Sequence, residues 1–274
     1  MPSLSEALHE FSAVILTGGS SGIGKSFIEL ADKLHPSLIV CNLSRRIPEI
    51  KLEGIRLRQF TCDLSDPQAI ALTVPEIEKT LAREAPCGRI LLVNNSGFGT
   101  YSPFPEPGLE QQLGMVDLNV RAVVDLTGRL LPLLKTRGGA IVTIASTAAF
   151  QPLPWTATYA ATKTFVLHWS LALNEELRGS GVRTLAVCPG PTATEFFRRA
   201  GLRQGSVAGV WSQSSEEVVR ESLRALAAGR SQVVTGWKNR LIVGISSRLP
   251  KPWAARLASG VLARYRLSRV VHGQ

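Results

Sequence analysis

Short runs of apolar residues alternate along this chain with longer stretches in which apolar residues recur every three or four positions. The short runs predict buried strands, and the longer stretches predict helices. The predicted strands are Ser12–Thr17, Leu38–Leu43, Ile55–Thr61, Arg89–Val93, Gly139–Ala145, Val182–Val187 and Ser231–Thr235. The predicted helices are Ile23–Leu34, Gln68–Ala85, Leu109–Lys135 (one helix or two), Thr156–Arg178 and Ser215–Ala228. This alternation predicts an α/β fold, a Rossmann-like doubly wound parallel sheet of about seven strands with helices on both faces.

The connection between the second and third predicted strands is unusually short. Little room for a helix exists between Arg46 and Ile55, whereas a parallel crossover usually takes about a dozen residues or more. We therefore expect a connection no longer than a single helical turn.

Composition favours one large domain. The chain has 274 residues, of which 45% are hydrophobic, which suits a sizeable core. It contains no uncharged apolar run of about 18 residues, so no membrane-spanning helix is predicted, and the Met1–Phe11 segment does not resemble a signal peptide. No CxxC pair and no metal-ligand spacing of histidines occurs, so we expect a cytoplasmic protein with reduced thiols and no bound metal.

The net charge of +10 is confined to the C-terminal end. Residues Met1–Glu221 hold equal numbers of acidic and basic side chains, while Ser222–Gln274 holds 10 Lys/Arg and no Asp or Glu. We therefore divide the chain into a main domain at residues 1–235 and a basic amphipathic extension at residues 236–274. Two interpretations of the extension stay open: a helix lying on an anionic membrane surface, or one packed on the core or a second subunit. No nucleic-acid motif is present, so nucleic acid is not a predicted partner.

A glycine-rich turn follows the first predicted strand. Its glycines, spaced Gly18-x3-Gly22-x-Gly24, would let the backbone approach a pyrophosphate at a helix N-terminus. The spacing differs from the G-x-G-x-x-G fingerprint, and the alternative is a plain turn. The candidate cofactor-binding residues here are Thr17, Gly18, Ser20, Ser21, Gly22, Ile23 and Gly24.

The second predicted strand ends in Ser44, Arg45 and Arg46. An acidic residue at this point would accept hydrogen bonds from the adenosine ribose, whereas arginine suits a 2′-phosphate. The pattern therefore favours NADP(H) over NAD(H). The alternative is a solvated basic turn.

Tyr159 and Lys163 lie four residues apart on a predicted helix, which places their side chains on one face about 5–6 Å apart at Cβ. A neighbouring positive charge favours phenolate, so we expect the tyrosine pKa to fall below its usual value of about 10. Such a tyrosine could exchange a proton with an alcohol or ketone near neutral pH.

These motifs, in this order with several others, resemble the classical type of the short-chain dehydrogenase/reductase family. The others are Asp63, Asn94-Asn95-Ser96-Gly97, Asn119, Ser146 and Pro189-Gly190-Pro191-Thr192, and the resemblance spans about Ser12 to Thr235. It implies an NADP(H)-dependent oxidoreductase that transfers a hydride between nicotinamide and a carbonyl or alcohol. The implied catalytic residues are Asn119, Ser146, Tyr159 and Lys163, and the further implied cofactor contacts are Asp63, Leu64, Asn95, Ser96, Gly97, Tyr159, Lys163, Pro189, Gly190, Thr192 and Thr194.

The resemblance also implies individual roles. Ser146 and Tyr159 would hydrogen-bond the substrate oxygen, Tyr159 delivering its proton, while Lys163 holds the nicotinamide ribose and the Asn119 backbone holds a water. The residues alone leave structural alternatives. Ser146 could simply end a strand, Asn119 could be a surface helix residue, and Asp63 and Thr194 could be helix caps.

The predicted substrate side is rich in Phe, Trp, Tyr and Pro, at Phe98–Phe104, Phe150–Trp155 and Glu195–Trp211. This favours a lipophilic substrate, a ketone or a 3-ketoacyl compound. Arg198, Arg199 and Arg203 could meet an acidic headgroup or belong to a solvated lid. Family members often pair through the helices that carry Asn119 and Tyr159, so a homo-oligomer is expected. The competing function is a non-catalytic, cofactor-sensing scaffold.

Overall fold

The computed structural model describes residue 4 and residues 6–192 and 212–266, and within them seven strands form one parallel sheet in the order β3-β2-β1-β4-β5-β6-β7. The strands are Phe11–Thr17 (β1), Ile39–Leu43 (β2), Arg56–Phe60 (β3), Arg89–Asn94 (β4), Gly139–Ile144 (β5), Val182–Cys188 (β6) and Gln232–Val234 (β7). Neighbouring strands are parallel throughout this sheet. The predicted fold class is confirmed, with strand boundaries shifted by only a residue or so.

Helices connect these strands and cover the sheet. They are Glu6–His9 (α1), Gly22–Leu34 (α2), Pro67–Glu84 (α3), Leu109–Val116 (α4), Ala122–Arg137 (α5), Ala157–Glu176 (α6), Ser215–Ala227 (α7), Trp237–Ser246 (α8) and Lys251–Arg266 (α9). A π-helical turn, Asp117–Arg121, joins α4 to α5, and a 3-10 turn, Thr147–Phe150, follows β5. The predicted Leu109–Lys135 segment is therefore two helices joined by an irregular turn, and the short α1 is a helix that the apolar pattern did not predict.

The core lies on both faces of the sheet because successive strand residues point to opposite sides. Val14 and Leu16 of β1 belong to the apolar cluster that includes Ile28 of α2 and Val219 of α7. Ala13 and Ile15 belong to the opposite cluster, which contains residues of α3 and α5. Burial on both sides explains why the strands are almost continuously apolar in sequence.

The crossover from β2 to β3 contains no helical turn in the described structure. Instead, the buried carboxylate of Asp32 in α2 accepts hydrogen bonds from the backbone N–H groups of Glu53, Gly54 and Ile55 at 2.8, 2.9 and 2.8 Å. Burial alone would raise the pKa of this carboxyl, but the three hydrogen bonds outweigh burial and lower it. The prediction of a short connection is confirmed, and one side chain holds it in place.

The direction of the chain across the sheet changes at β1. Strands β2 and β3 lie on one side of β1, and β4 to β7 lie on the other. In sheets of this kind, ligands bind at the carboxyl ends of the strands where the order reverses. The ends of β1 and β4 are therefore where a functional cleft is expected.

The C-terminal helices pack on the end of the sheet that carries this cleft. The buried side of α8 contains Asn239, Val243 and Ser246, and Lys251 at the start of α9 donates a hydrogen bond to the Phe150 carbonyl at 2.9 Å. In the described part of the chain, no helix combines the length and apolar character needed to cross a membrane.

Candidate active site

A cavity of about 1170 Å³ opens at the carboxyl ends of the strands. The residues predicted from sequence that line it are Gly18, Ser20, Ser21, Gly22, Ile23, Ser44, Arg45, Arg46, Asp63, Leu64, Asn95, Ser96, Gly97, Ser146, Tyr159, Lys163, Pro189, Gly190 and Thr192. Three others, Thr17, Gly24 and Asn119, are not among the lining residues and lie behind its wall. Thr194 falls outside the described residues.

The glycine loop is packed too closely for side chains. Gly18 has a φ of +73°, and a Cβ there would lie 2.7 Å from Ser96 Oγ; a Cβ on Gly24 would lie 2.4 Å from the Gly18 carbonyl oxygen. At the start of α2, the N-cap residue Ser21 makes no side-chain capping hydrogen bond. The first-turn amides of α2 are therefore not capped by Ser21, which suits a pyrophosphate at this helix end.

Thr17 and Asn95 fasten the ends of β1 and β4 together. The Thr17 hydroxyl accepts the backbone N–H groups of Asn95 and Ser96, both at 2.9 Å. The Asn95 amide donates to the Thr17 carbonyl at 2.8 Å and to the Gly18 carbonyl at 3.2 Å. Thr17 therefore acts by positioning the glycine loop, from behind the cavity wall.

Asn42 is a positioning residue that the sequence motifs did not include. It is fully buried in β2, and its Oδ1 accepts the Gly19 backbone N–H at 2.8 Å. Its Nδ2 donates to Ser44 Oγ at 2.9 Å and to Gln59 Oε1 at 2.7 Å, and Gln59 Nε2 donates to the Ser44 carbonyl at 3.0 Å. This network links the glycine loop to the turn that carries Arg45. The available signal was a lone polar residue inside an apolar strand.

The arginine turn lines the cavity close to Asp63. Arg45 lies 3.6 Å from the Asp63 carboxylate, but both side chains are exposed, so this pair contributes little to stability. Asp63 also accepts the Ser65 backbone N–H at 2.9 Å. The cap of α3 is Asp66, which accepts the Gln68 N–H at 2.8 Å, so the alternative of Asp63 as that cap does not hold.

Ser146, Tyr159 and Lys163 come together where β5 ends and α6 begins. Ser146 caps the 3-10 turn, accepting the Ala148 N–H at 3.1 Å, and its side chain hydrogen-bonds Tyr159. Lys163 Nζ donates to the Ile144 carbonyl at 2.8 Å and lies 5.9 Å from the centre of the Tyr159 ring. The three polar groups expected from the sequence thus share one corner of the cavity.

The expected lowering of the Tyr159 pKa is wrong for this structure. Tyr159 keeps part of its surface open to the cavity, yet burial raises its pKa to about 12, with the Ser146 hydrogen bond acting in the opposite direction. Burial also lowers the pKa of Lys163 to about 8. Desolvation of both groups therefore outweighs the attraction that their spacing predicts. Tyr159 is therefore protonated at neutral pH, as an ordinary tyrosine is, and is a weaker acid than one with the usual pKa of about 10.

Asn119 is buried in the π-helical turn, so it is not a surface helix residue. Its side chain accepts the Phe98 N–H at 3.1 Å and donates to the Phe98 carbonyl at 2.9 Å and to Thr162 Oγ1 at 3.0 Å. A Cβ on Gly97 would lie 3.0 Å from Asn119 Oδ1 and 3.3 Å from Lys163 Nζ. Asn119 therefore braces the loop that packs against the lysine.

The substrate side of the cavity draws on segments both predicted and missed. From the predicted segments, Phe98, Gly99, Thr100, Tyr101, Gln151 and Leu153 line it. Phe104 is instead exposed to solvent, Phe150 and Trp155 are not among the lining residues, and Glu195–Trp211 with Arg198, Arg199 and Arg203 lies outside the described residues. The lining residues missed from sequence include Glu110, Gln111, Gly114 and Leu118 near α4, and Asn239, Ile242, Val243 and Ser246 of α8.

The α8 wall is anchored by close contact with the residues that follow β6 and β7. A Cβ on Gly190 would lie 2.3 Å from Asn239 Nδ2, and this amide donates to the Thr235 carbonyl at 2.8 Å. Part of the predicted C-terminal extension therefore helps to build the cavity. No local signal in the sequence indicates this contact.

Comparison with known proteins identifies the class to which this site belongs. The family model for short chain dehydrogenases matches residues 12–204, so the chain belongs to the short-chain dehydrogenase/reductase family of oxidoreductases. The chain is 31% identical over 193 residues to sulfoacetaldehyde reductase 2 of Chromohalobacter salexigens, covering 67% of this chain and 73% of that protein. It is 30% identical to a putative ketoacyl reductase of Streptomyces coelicolor, in a match that covers 82% of this chain and 86% of that protein.

A solved structure confirms the likeness over nearly the whole chain. The short-chain dehydrogenase from Sphingobium yanoikuyae in complex with NADPH has a TM-score of 0.69 and 26% identity, covering 96% of this chain and 97% of that one. The family resemblance and the Rossmann-like fold expected from the sequence are confirmed.

Proposed function

We propose that this protein is an NADP(H)-dependent reductase of a lipophilic carbonyl compound, a ketone or a 3-ketoacyl compound, with the corresponding alcohol as product. The observation that carries the proposal is the corner formed by Ser146, Tyr159 and Lys163, at the far side of a cavity that begins at the glycine loop. A protein that only senses a cofactor needs the loop but not this corner.

The cavity has the features that a dinucleotide requires. The backbone of Gly18–Ile23 at the start of α2 would hold the pyrophosphate, Asp63 and Leu64 would flank the adenine, and Pro189–Thr192 would orient the nicotinamide, which supplies the hydride when bound. Arg45 and Arg46 line the cavity at the end of β2, where the chain itself has no acidic residue, and the one carboxylate described beside Arg45 is that of Asp63, after β3. Two arginines there favour a 2′-phosphate, because guanidinium binds phosphate bidentately and keeps its charge. The NADPH complex of the Sphingobium relative supports the same preference.

Residues of the chain would stabilise the negative charge on the substrate oxygen and supply the proton. Negative charge grows on the substrate oxygen as the carbonyl is reduced, and the hydroxyls of Ser146 and Tyr159 would stabilise it by hydrogen bonding. Tyr159 carries its proton at neutral pH, as an ordinary tyrosine does, and it hydrogen-bonds Ser146 in this corner, so it would be the proton donor. Lys163 would hold the ribose hydroxyls. Asn119 would hold the Phe98 loop in position against the lysine.

The lining of the outer cavity supports a lipophilic substrate. Phe98, Tyr101, Leu153, Ile242 and Val243 provide apolar surface beyond Tyr159. The relative named as a putative ketoacyl reductase agrees with this. The relative named as a sulfoacetaldehyde reductase indicates that a substrate panel must also contain a small polar aldehyde.

Cofactor preference is tested by titrating the purified protein with NADPH and NADH and following nucleotide fluorescence. We expect NADPH to bind more tightly and the Arg45→Asp/Arg46→Leu variant to lose this preference. Arg178→Leu is the control, because Arg178 is highly exposed and does not line the cavity. Equal affinities for the two nucleotides in the wild type would contradict the assignment. Tight NADPH binding without turnover of any carbonyl compound would favour the scaffold function instead.

We also propose a cytoplasmic homo-oligomer that pairs through the helices near the active site. Leu109, Leu113 and Val116 of α4 and Phe165 of α6 are apolar and exposed, which suits burial against a second copy. Light scattering during gel filtration should show a dimer or tetramer, shifted towards monomer by Leu113→Glu/Phe165→Glu. A wild-type monomer at micromolar concentration would contradict this proposal.

A further inference from the structure

Helix α8 has two different faces. Asn239, Val243 and Ser246 point inward and line the active-site cavity. Trp237, Leu241 and Ile245 recur every four residues on another face and are 65%, 59% and 67% exposed. One helix therefore forms the cavity wall on one side and presents large apolar side chains to the surroundings on the other.

Exposed apolar side chains also occur on α9, which follows α8 after only the four residues Ser247–Pro250. Trp253 and Leu257 lie four residues apart and are also largely exposed. We call the five residues Trp237, Leu241, Ile245, Trp253 and Leu257 the docking face. Single exposed apolar residues are ordinary in proteins, but a concentration of them on two consecutive helices marks an interaction surface.

The charged residues within α8, α9 and the link between them are all basic. Arg248, Lys251 and Arg256 stand among the residues of the docking face, and the sequence from Ser222 onward contains no acidic residue. Lys251 donates to a backbone carbonyl and forms no ion pair with any residue that the structure describes, whereas Arg240 is paired with the Glu221 carboxylate at 2.6 Å. Tryptophan and leucine beside cations are typical of helices that lie in the interface of an anionic bilayer.

We propose that the docking face binds an anionic lipid bilayer and that the lipophilic substrate enters the cavity from that bilayer. Ile242 stands between the two faces of α8: it lines the cavity and is also 47% exposed. A substrate leaving the lipid beside the docking face would therefore meet apolar surface on its way in. The entry route rests on the proposed function, whereas the docking itself does not.

An anionic bilayer fits the docking face better than two other occupants. A second copy of the chain would bring Arg248, Lys251 and Arg256 against their own counterparts, and like charges at an interface oppose association. An acidic protein would satisfy the cations but has no need of five exposed apolar side chains. A bilayer uses both features, the cations at its anionic headgroups and the apolar side chains below them.

Docking is tested by sedimenting the full-length protein with vesicles of pure phosphatidylcholine or of phosphatidylcholine mixed with phosphatidylglycerol. We expect binding only to the vesicles that contain phosphatidylglycerol, weakening as salt is raised. Leu241→Ser should lower the partition coefficient by about tenfold, because burial of one large apolar side chain is worth at least that factor. Leu72→Ser is the matched control, since Leu72 is even more exposed than Leu241 (75% against 59%) but lies on α3, and it should leave binding unchanged.

The triple variant Trp237→Ser/Leu241→Ser/Ile245→Ser separates docking from catalysis. None of these three side chains lines the cavity, so the NADPH dissociation constant and the turnover of a short, water-soluble ketone should stay within about twofold of the wild type. Turnover of a long-chain ketone presented in phosphatidylglycerol vesicles should fall by about tenfold or more.

Three results would overturn the proposal. One is a wild-type protein that fails to bind phosphatidylglycerol vesicles, whatever its activity. Another is a triple variant that binds them as well as the wild type does. The third is a triple variant that changes from oligomer to monomer while the wild type ignores lipid, which would assign the docking face to a second copy. Lipid binding without turnover of any ketone would instead refute the proposed function and leave the docking intact.

Discussion

Asn42 does not line the cavity, yet we expect Asn42→Ala to reduce the preference for NADPH over NADH. The substitution removes the Oδ1 atom that accepts the Gly19 N–H at 2.8 Å and the Nδ2 atom that donates to Ser44 and Gln59. Asn42 is fully buried, so water cannot readily replace these partners. The Gly19 N–H and Gln59 Oε1 would both lose a buried partner.

The magnitude follows from the number of hydrogen bonds. A neutral hydrogen bond contributes about 1 kcal/mol net, and an unpaired buried polar group costs about 1–3 kcal/mol. With three bonds removed and partial relaxation, we expect the free energy of unfolding to fall by roughly 2–4 kcal/mol. If the turn that carries Arg45 loses one charged contact to the 2′-phosphate, about 1.5–3 kcal/mol of binding is lost, which raises the NADPH dissociation constant by roughly 10–100-fold.

The assay compares NADPH and NADH binding by fluorescence titration, with urea unfolding in parallel. NADH has no 2′-phosphate, so its affinity should fall much less than that of NADPH. Asn42→Asp keeps the oxygen that accepts the Gly19 N–H but loses the donor to Ser44 and Gln59. It should lose the NADPH preference as Asn42→Ala does, while the hydrogen bond to the glycine loop is retained. Asn174→Ala is the control, because Asn174 accepts the Thr184 N–H at 2.9 Å and does not line the cavity. Equal weakening of both nucleotides, or of neither, would refute the positioning role of the network.

Three further substitutions test the account at other points. Asp32→Asn should lower the free energy of unfolding by about 2–3 kcal/mol at pH 7; because the folded pKa of Asp32 is lowered, the wild-type advantage should be full above the usual carboxyl pKa and disappear as pH falls through the folded value. Gly97→Ala should reduce kcat about tenfold or more by crowding Asn119 and Lys163, whereas Gly128→Ala, which meets no atom within 4 Å, should leave kcat unchanged. The pKa of Lys163 is lowered from 10.5 to about 8 in the folded protein, so between pH 8 and pH 10.5 the unfolded chain binds more protons than the folded one. The free energy of unfolding of the wild type, measured in urea relative to Lys163→Met, should therefore rise by roughly 1–3 kcal/mol over this pH range.

The sheet and the glycine loop are predictable because their determinants are local in sequence. Strand β1 is apolar on both sides of the sheet, so the apolar residues Val14 and Ile15 both predict a buried position. The turn at Gly18 requires a positive φ, which glycine adopts freely. The prediction of a short second crossover is also local, since it depends only on the length between Arg46 and Ile55. The side chain that holds that crossover, Asp32, is not predictable because its partners lie in another segment.

The parts that the sequence could not supply depend on tertiary contacts and burial. Spacing brings Tyr159 and Lys163 to one helix face, but their pKa values are governed by desolvation, which only the folded surroundings determine. Asn239 enters the cavity wall because α8 folds back against Gly190, a contact without a local signature. The π-helical turn that buries Asn119 likewise has no apolar period of its own.

Whether this protein is a carbonyl reductase is decided by following NADPH oxidation with the wild type and with Tyr159→Phe, over long-chain ketones, 3-ketoacyl thioesters and a small polar aldehyde. We expect wild-type turnover of a lipophilic carbonyl compound and a loss of about 10²–10⁴-fold in kcat for the variant, with NADPH binding retained. Near-full turnover by Tyr159→Phe would contradict this expectation, because the proton would then have to come from another group.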